Sequence, residues 1–284
     1  MEKKNGRGKE YEDDGKLEFE GEYLNNERNG KGKEYYDDNQ IKFEGEYLIG
    51  KRWIGKGYDK DGNLTLKIKD GNGIGKEYNN NGKLIFEGEY LNGLRWNGKI
   101  KIYNNDDKLK FEGEYLNGNY NGKVKEYHDN GELKFEGEYL IGKKNGKAKD
   151  YYDNGQLEFE GEYLNGEKNG KGQKYYNDGK LEYEGEYLEG RKNGKGKEYN
   201  SNGILIFEGE YLKGEKWNGK GKDYNKTKLK FEGEFLNKKR NGKGKEYYDD
   251  GQLKFEGEYL NGKRWNGKGY DKNGIIDFQI KDGK

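Results

Sequence analysis

The sequence predicts an all-β fold: an elongated, single-layer antiparallel β-meander of about twelve stacked β-hairpin repeats. Three observations predict it. The phrase Phe-Glu-Gly-Glu-Tyr-Leu recurs with starts at Phe19, Phe43, Phe86, Phe111, Phe135, Phe159, Phe207 and Phe255, with single substitutions at Tyr183 and Phe231 and degenerate copies at Leu66 and Phe278. The spacings are 24, 23, 20, 25, six of 24, then 23. Within each phrase, apolar and charged residues alternate with a period of two. Turn signals bound each run, and proline is absent, so every backbone N–H is free to join a ladder.

One unit illustrates the elements in order. Leu157, Phe159, Gly161 and Tyr163 alternate with Glu158, Glu160 and Glu162, which predicts a strand with one apolar face. Asn165-Gly166 then predicts a tight turn. Gly170 to Tyr175 begins by alternating glycine with polar residues and predicts the return strand, and Asn177-Asp178-Gly179 predicts the turn into the next unit. Setting Tyr23 opposite Gly30 puts Glu22 opposite Lys31, Gly21 opposite Gly32 and Glu20 opposite Lys33. One face then carries Glu–Lys pairs, each worth roughly 0.2–1 kcal/mol, and the other carries rings lying over glycines. The recurrent tyrosine (Tyr11, Tyr35, Tyr127, Tyr151, Tyr199) lies five residues after the first glycine, an odd offset that calls for a β-bulge. The next position holds Glu12, Asn79, His128 or Tyr152 and reads as exposed. A lone hairpin cannot offset the roughly 1–2 kcal/mol per residue of backbone ordering, so neighbouring units must share each buried ring.

Only 29% of residues are hydrophobic and 39% are charged, a composition that alone points to disorder. The 15% aromatics at fixed positions and a net charge of +1 argue against it. Cysteine is absent, which excludes a disulfide framework and thiol chemistry. No apolar run is long enough to span a membrane, and the opening Met1-Glu2-Lys3-Lys4-Asn5-Gly6 lacks the apolar stretch of a signal peptide. The expected location is intracellular, in the cytoplasm or peripheral at a membrane. The array is expected to run over residues 1–284, with an irregular unit near 58–78 and a C-terminal cap near 270–284, which share Ile-Lys-Asp-Gly. Units with Ile100, Val124 or Ala148 in place of the second glycine are expected to carry a bulkier apolar surface.

The order Phe-Glu-Gly-Glu-Tyr-Leu-Asn-Gly, then Asn-Gly-Lys-Gly, then Tyr-Tyr-Asp-Asn-Gly resembles the MORN (membrane occupation and recognition nexus) repeat along almost the whole chain. The resemblance implies an elongated twisted meander, scaffolding, protein–protein contact and, in some members, association with membranes or phosphoinositides.

Chemical motifs are sparse. Gly-x-x-x-x-Gly-Lys occurs at 50–56, 93–99, 214–220 and 262–268, without the Ser or Thr and helix of a phosphate loop. Asp59 to Asp70 begins like a calcium loop but lacks its central glycine. His128 is the only histidine. No catalytic site, metal site or cofactor is expected. Trp53, Trp96, Trp217 and Trp265 all fall in one turn class, beside Arg52, Arg95, Lys216 and Arg264. These eight residues form the candidate edge for a protein partner or an anionic membrane surface, since tryptophan with basic charge suits both. The opposite turns carry Asp13-Asp14, Asp37-Asp38, Asp106-Asp107 and Asp249-Asp250 and read as an acidic edge. The leading expectation is a non-catalytic scaffold for protein–protein interaction. A phosphoinositide or anionic-lipid binder and a carbohydrate or cell-wall binder are the alternatives. Nucleic acid is not expected, because net charge is near zero. Terminal edge strands offer a route to a homo-oligomer.

Overall fold

A computed structural model describes residues 3–284. Contacts divide the chain into two compact units, Met1–Lys143 and Lys144–Lys284. The first carries β1 (Gly6–Tyr11), β2 (Leu17–Leu24), β3 (Glu27–Tyr35), β4 (Ile41–Leu48), β5 (Lys51–Tyr58), β6 (Leu64–Lys69), β7 (Asn72–Tyr78), β8 (Leu84–Leu91), β9 (Leu94–Tyr103), β10 (Leu109–Leu116), β11 (Asn119–Tyr127) and β12 (Leu133–Leu140). The second carries β13 (Lys143–Tyr151), β14 (Leu157–Leu164), β15 (Glu167–Tyr175), β16 (Leu181–Leu188), β17 (Arg191–Tyr199), β18 (Leu205–Leu212), β19 (Glu215–Asn225), β20 (Lys228–Leu236), β21 (Lys239–Tyr247), β22 (Leu253–Leu260), β23 (Lys263–Tyr270) and β24 (Ile276–Ile280). Within each unit every strand pairs antiparallel with the next in sequence, so the fold is the all-β meander of hairpins that the repeat predicts.

Two turn types alternate. Two-residue turns such as Asn165-Gly166 hold both residues at positive φ, 54° and 96°, which matches the twist of the flanking strands. The other turns, except the two-residue Lys226-Thr227 turn between β19 and β20, are three-residue loops closed by a left-handed residue: Gly15 N–H bonds the Glu12 carbonyl at 2.9 Å, and Asn39 and Asp107 take the same role at φ 63°.

Phe19, Phe43, Phe86, Phe135, Phe159, Phe231 and Phe255 are fully buried. Each is covered edge-on by tyrosines: Phe19 contacts Tyr23 at 5.6 Å and Tyr47, one unit on, at 5.1 Å, and Phe159 contacts Tyr163 and Tyr187 in the same way. The core is thus a row of rings, each sheltered by its own unit and the next. The opposite face carries Glu–Lys pairs made with the preceding strand, for example Lys9–Glu20 at 3.3 Å and Lys76–Glu87 at 3.2 Å, while of the expected pairs Glu20 faces Lys33 in register and Glu22 does not face Lys31. Flat grooves there, about 850 Å³ over β1 to β5, have a glycine floor between Glu and Lys walls.

The register departs from expectation on one side of each unit. Gly21 faces Gly32 and Glu20 faces Lys33, but Tyr23 faces Arg28, not Gly30. The cause is a bulge at Asn29-Gly30-Lys31. Gly30 sits at φ 92°, and the Glu22 carboxylate accepts the Lys31 N–H at 3.1 Å. The tyrosine–glycine pairing is made instead with the preceding strand, as Gly6 with Tyr23 and Gly30 with Tyr47.

A second bulge lies between Glu34 and Tyr35, as the odd offset requires, and recurs between Glu10 and Tyr11. Its extra residue is on the partner strand, Lys42 in β4, so it does not turn the tyrosine over. Tyr35 still lies on the charged face, donating its hydroxyl to Glu20 at 2.7 Å. The slot that follows is not exposed as expected. Tyr36 is 1% exposed and donates to the Tyr58 carbonyl of the next turn at 2.7 Å. Ile100, Val124 and Ala148 are likewise buried beneath the rings and form no apolar outer surface. Beside them Phe111 is only half-buried and meets Tyr120 in a tilted contact at 4.7 Å. The segment near 58–78 is the hairpin β6–β7, whose pairing carries no register shift, with Leu66 and Ile68 in place of rings.

Candidate functional site

The two-residue turns and the strand ends beside them carry the sequence-predicted residues. Consecutive turns are tied sideways. The Gly50 N–H bonds the Arg28 carbonyl at 2.9 Å, and Gly71 bonds the Trp53 carbonyl at 2.8 Å. Asparagine side chains add a second tie: Asn97 Oδ1 accepts the Asn117 N–H at 3.0 Å, and Asn266 Oδ1 accepts the Asp282 N–H at 2.8 Å. The edge is therefore hydrogen-bonded along each unit. This explains physically why Asn-Gly-Lys recurs after most of these turns.

The four tryptophans are half-buried, and each reaches the next turn. The Trp53 ring lies where a Cβ on Gly71 would stand, the Trp96 ring approaches Gly118, the Trp265 ring packs on Gly283, and Lys238 lies 5.8 Å from the Trp217 ring. They neither project freely nor join the row of core rings. In these units the bulge has one extra residue instead of two, so Gly45 faces Gly55 while Tyr47 still faces Arg52.

The basic residues beside them point inward. The Arg52 guanidinium lies 4.7 Å from the Phe43 ring centre and donates to Glu34 and Glu77. Arg95 covers Phe86 and pairs with Glu77, while Arg264 covers Phe255 and pairs with Glu246 at 2.5 Å. Lys216 lies over Phe207, with Glu198 at 3.7 Å. These cations roof the core rings and neutralise the carboxylates beneath. Arg52 is 17% exposed and Glu34 14%. Burial opposes ionisation of Glu34, but Arg52, Tyr47 and Arg28 outweigh it and hold its pKa down to about 2. Glu77 is lowered as well: burial opposes, and Arg52 and Arg95 prevail.

Two sets of residues went unseen in the sequence reading. The first is the carboxylate row under the rings, Glu10, Glu34, Glu77, Glu198 and Glu246. Its signal is an offset of four from the first glycine, which alternation assigns to the ring face. The second is the leucine that ends each phrase. By alternation it shares a face with the glutamates. Leu24, Leu48, Leu116 and Leu140 in the first unit, and Leu164, Leu188, Leu212, Leu236 and Leu260 in the second, are all 40–53% exposed. Across the turn Leu48, Leu188, Leu236 and Leu260 face Lys51, Arg191, Lys239 and Lys263, whereas Leu24, Leu164 and Leu212 face Glu27, Glu167 and Glu215. The result, in each unit, is a series of apolar side chains beside charges of both signs on a hydrogen-bonded edge.

The acidic turns are partly neutralised. Lys16 bridges Asp14 at 2.6 Å and Asp37 at 3.4 Å, and Lys180 pairs with Asp178 at 3.0 Å. The Asp59 loop is a hairpin turn whose carboxylate accepts the Asn63 and Asp61 N–H groups. The glycine-lysine motifs fall in turns and strands, as Gly50–Lys56 does at β5. No helix among the described residues is long and apolar enough to cross a membrane.

Models of known families match the repeats directly. The MORN repeat matches residues 19–41, 159–180, 183–204 and 231–253, and a MORN repeat variant matches 4–25, 72–92, 120–140 and 144–165. Together they span more than half of the chain. No curated protein matches it. Solved structures with similarity include a mutant Tc holotoxin pore of Photorhabdus luminescens, at 10% identity and TM-score 0.22, covering 97% of this chain and 18% of that one. A crystal structure of a TcdB2–TccC3–Cdc42 complex has 10% identity, TM-score 0.15 and the same coverages. The chain thus spans less than a fifth of those chains, and TM-scores this low carry no argument. Repeats of this type are generally non-catalytic and serve protein or membrane interaction, and on the matched repeats this chain belongs to the MORN repeat family.

Proposed function

We propose that the chain is a non-catalytic scaffold and that its turn edge, with the leucine row and the tryptophans, docks a partner protein. One observation carries the reading. The rings cover one another and the inward charges are paired, while nine of the phrase-ending leucines remain 40–53% exposed and only Leu91 is more covered. Nothing in folding a unit requires an exposed leucine at that place, and repeated apolar side chains on a rigid edge suit a complementary protein surface. The test is capture of a discrete partner by the intact chain, compared with a Leu164→Asp, Leu188→Asp, Leu212→Asp variant. Loss of capture supports the reading; undiminished capture sinks it.

A second reading rests on the cations beside the leucines, notably Lys51, Arg191, Lys239 and Lys263. Leucine with lysine at one edge also suits an anionic lipid surface, phosphoinositides included. Flotation with vesicles containing anionic lipid separates the two. Salt-sensitive flotation that the leucine variant loses favours lipid, and no flotation leaves the protein partner. The carbohydrate alternative gains no support, because the tryptophan rings lie against the next turn.

A further inference from the structure

We propose that β24 and β1 are the two halves of one junction, so that β24 of one copy of this 284-residue chain pairs with β1 of a second copy. The template is internal. The β6–β7 hairpin joins Leu64-Thr-Leu-Lys-Ile-Lys-Asp-Gly to Asn72-Gly-Ile-Gly-Lys-Glu-Tyr78. β24 begins Ile276-Asp-Phe-Gln-Ile-Lys-Asp-Gly, and β1 lies in Asn5-Gly-Arg-Gly-Lys-Glu-Tyr11. Among the described residues β24 pairs on one side, with β23, and β1 on one side, with β2.

The internal register transfers residue by residue. Leu66 faces Gly75 and Ile68 faces Gly73. Phe278 would then face Gly8, and Ile280 would face Gly6. The Phe278 ring is 37% exposed, unlike the fully buried Phe255 against which it stacks, and an added strand would bring the ring row of a second copy beside it. On the charged face Asp277 would meet Lys9. On the ring face Arg264 stands where Arg52 stands, and Glu10 where Glu77 stands. Glu77 is held by both Arg95, two strands on in β9, and Arg52 from across the junction. Glu10 has Arg28, two strands on in β3, with Lys4 at 3.6 Å, and the junction would add Arg264. Lys284 already forms the turn opposite Lys281, so pairing starts at Gly6, and Lys4 and Asn5 of the incoming copy must give way there. The contact is head-to-tail. Two different surfaces meet, so it propagates into chains or rings and does not stop at a twofold dimer.

The test uses two full-length variants. A tail-blocked chain carries Asp277→Lys and Phe278→Lys; a head-blocked chain carries Lys9→Glu and Glu10→Lys. The unmodified chain should show average mass rising with concentration in sedimentation velocity. Each blocked chain alone should remain monomeric, and an equimolar mixture should give a one-to-one dimer and nothing larger. Formation of that dimer also shows that both variants fold. An unmodified chain that stays monomeric up to its solubility limit overturns the proposal. So does a blocked chain that still self-associates, or a mixture that does not pair.

Discussion

Arg52 donates to Glu77, 25 positions along the chain, at 2.5 Å, while the same guanidinium holds Glu34 and covers the Phe43 ring. The contact exists because the intervening strand β6 is short and carries Leu66 and Ile68 in place of rings, so a β5 side chain reaches past it to β7.

Replacing Arg52 by Met should therefore destabilise the first unit by about 3–5 kcal/mol, the usual cost of leaving a buried charge without its partner. Amide hydrogen exchange reads this locally. Protection should fall over residues 64–91 and hold over 157–260. A uniform loss, or none, would contradict the role given to Arg52.

Acid should act through the same carboxylates. Folding lowers the Glu34 pKa from its ordinary 4.5 to about 2, so its contribution is complete above pH about 4.5 and lost as pH falls toward 2. Glu77 and Glu246 shift in the same direction. Denaturant midpoints measured from pH 6 down to pH 2 should fall across that window, and the Glu34→Gln variant should show a shallower fall. An equal slope in the variant would remove Glu34 from the account.

The central glycine of each phrase should resist substitution. A Cβ on Gly45 would stand 2.0 Å from the Ile54 carbonyl oxygen and 2.7 Å from the Gly55 Cα, so β4 and β5 would have to separate. Gly45→Ala should cost about 1–3 kcal/mol, as overpacking does. Val124→Ala serves as a comparison at the second-glycine position, where the sheet already accepts a side chain. A thermal melt in which Gly45→Ala is neutral would refute the close-approach argument.

The leucine row should be dispensable for folding. Leu164→Asp, Leu188→Asp and Leu212→Asp lie on half-exposed positions, and each should change stability by no more than about 0.5 kcal/mol. Circular dichroism melts check this. A large loss would mean that the leucines serve the fold, and the docking surface would have to be sought elsewhere.

Much of this was legible in the sequence. The period, the strands of Phe159 and Tyr163, the Asn165-Gly166 turn and the Glu20–Lys33 pair follow from two-residue alternation and turn chemistry. What escaped lies at the bulges. Extra residues around Gly30 move Tyr23 from Gly30 to Arg28, and alternation counted straight across a bulge misplaces its partners. Tyr36 read as exposed because its slot accepts Glu12 and Asn79 elsewhere, yet in its own unit the ring closes on the Tyr58 carbonyl.

The candidate edge divides in the same way. Turn class put Trp53, Trp96, Trp217 and Trp265 on one edge; in its own unit each stands beside a two-residue turn and reaches the next one. Nothing local told whether Arg52 or Leu48 faced outward. Composition favours the arginine as the exposed partner-binding group, whereas its guanidinium lies over Phe43 and the leucine is left in solvent.

The amino-acid sequence alone determined the repeat, the strand-and-turn alternation and the two chemically distinct faces, because these depend on residues within a few positions of each other. The tertiary structure alone decided which charges are buried, which apolar side chains stay outside, and that Arg52 meets both Glu34 and Glu77. Those outcomes depend on how far each strand is staggered against its neighbours, and stagger accumulates from bulges in several strands at once.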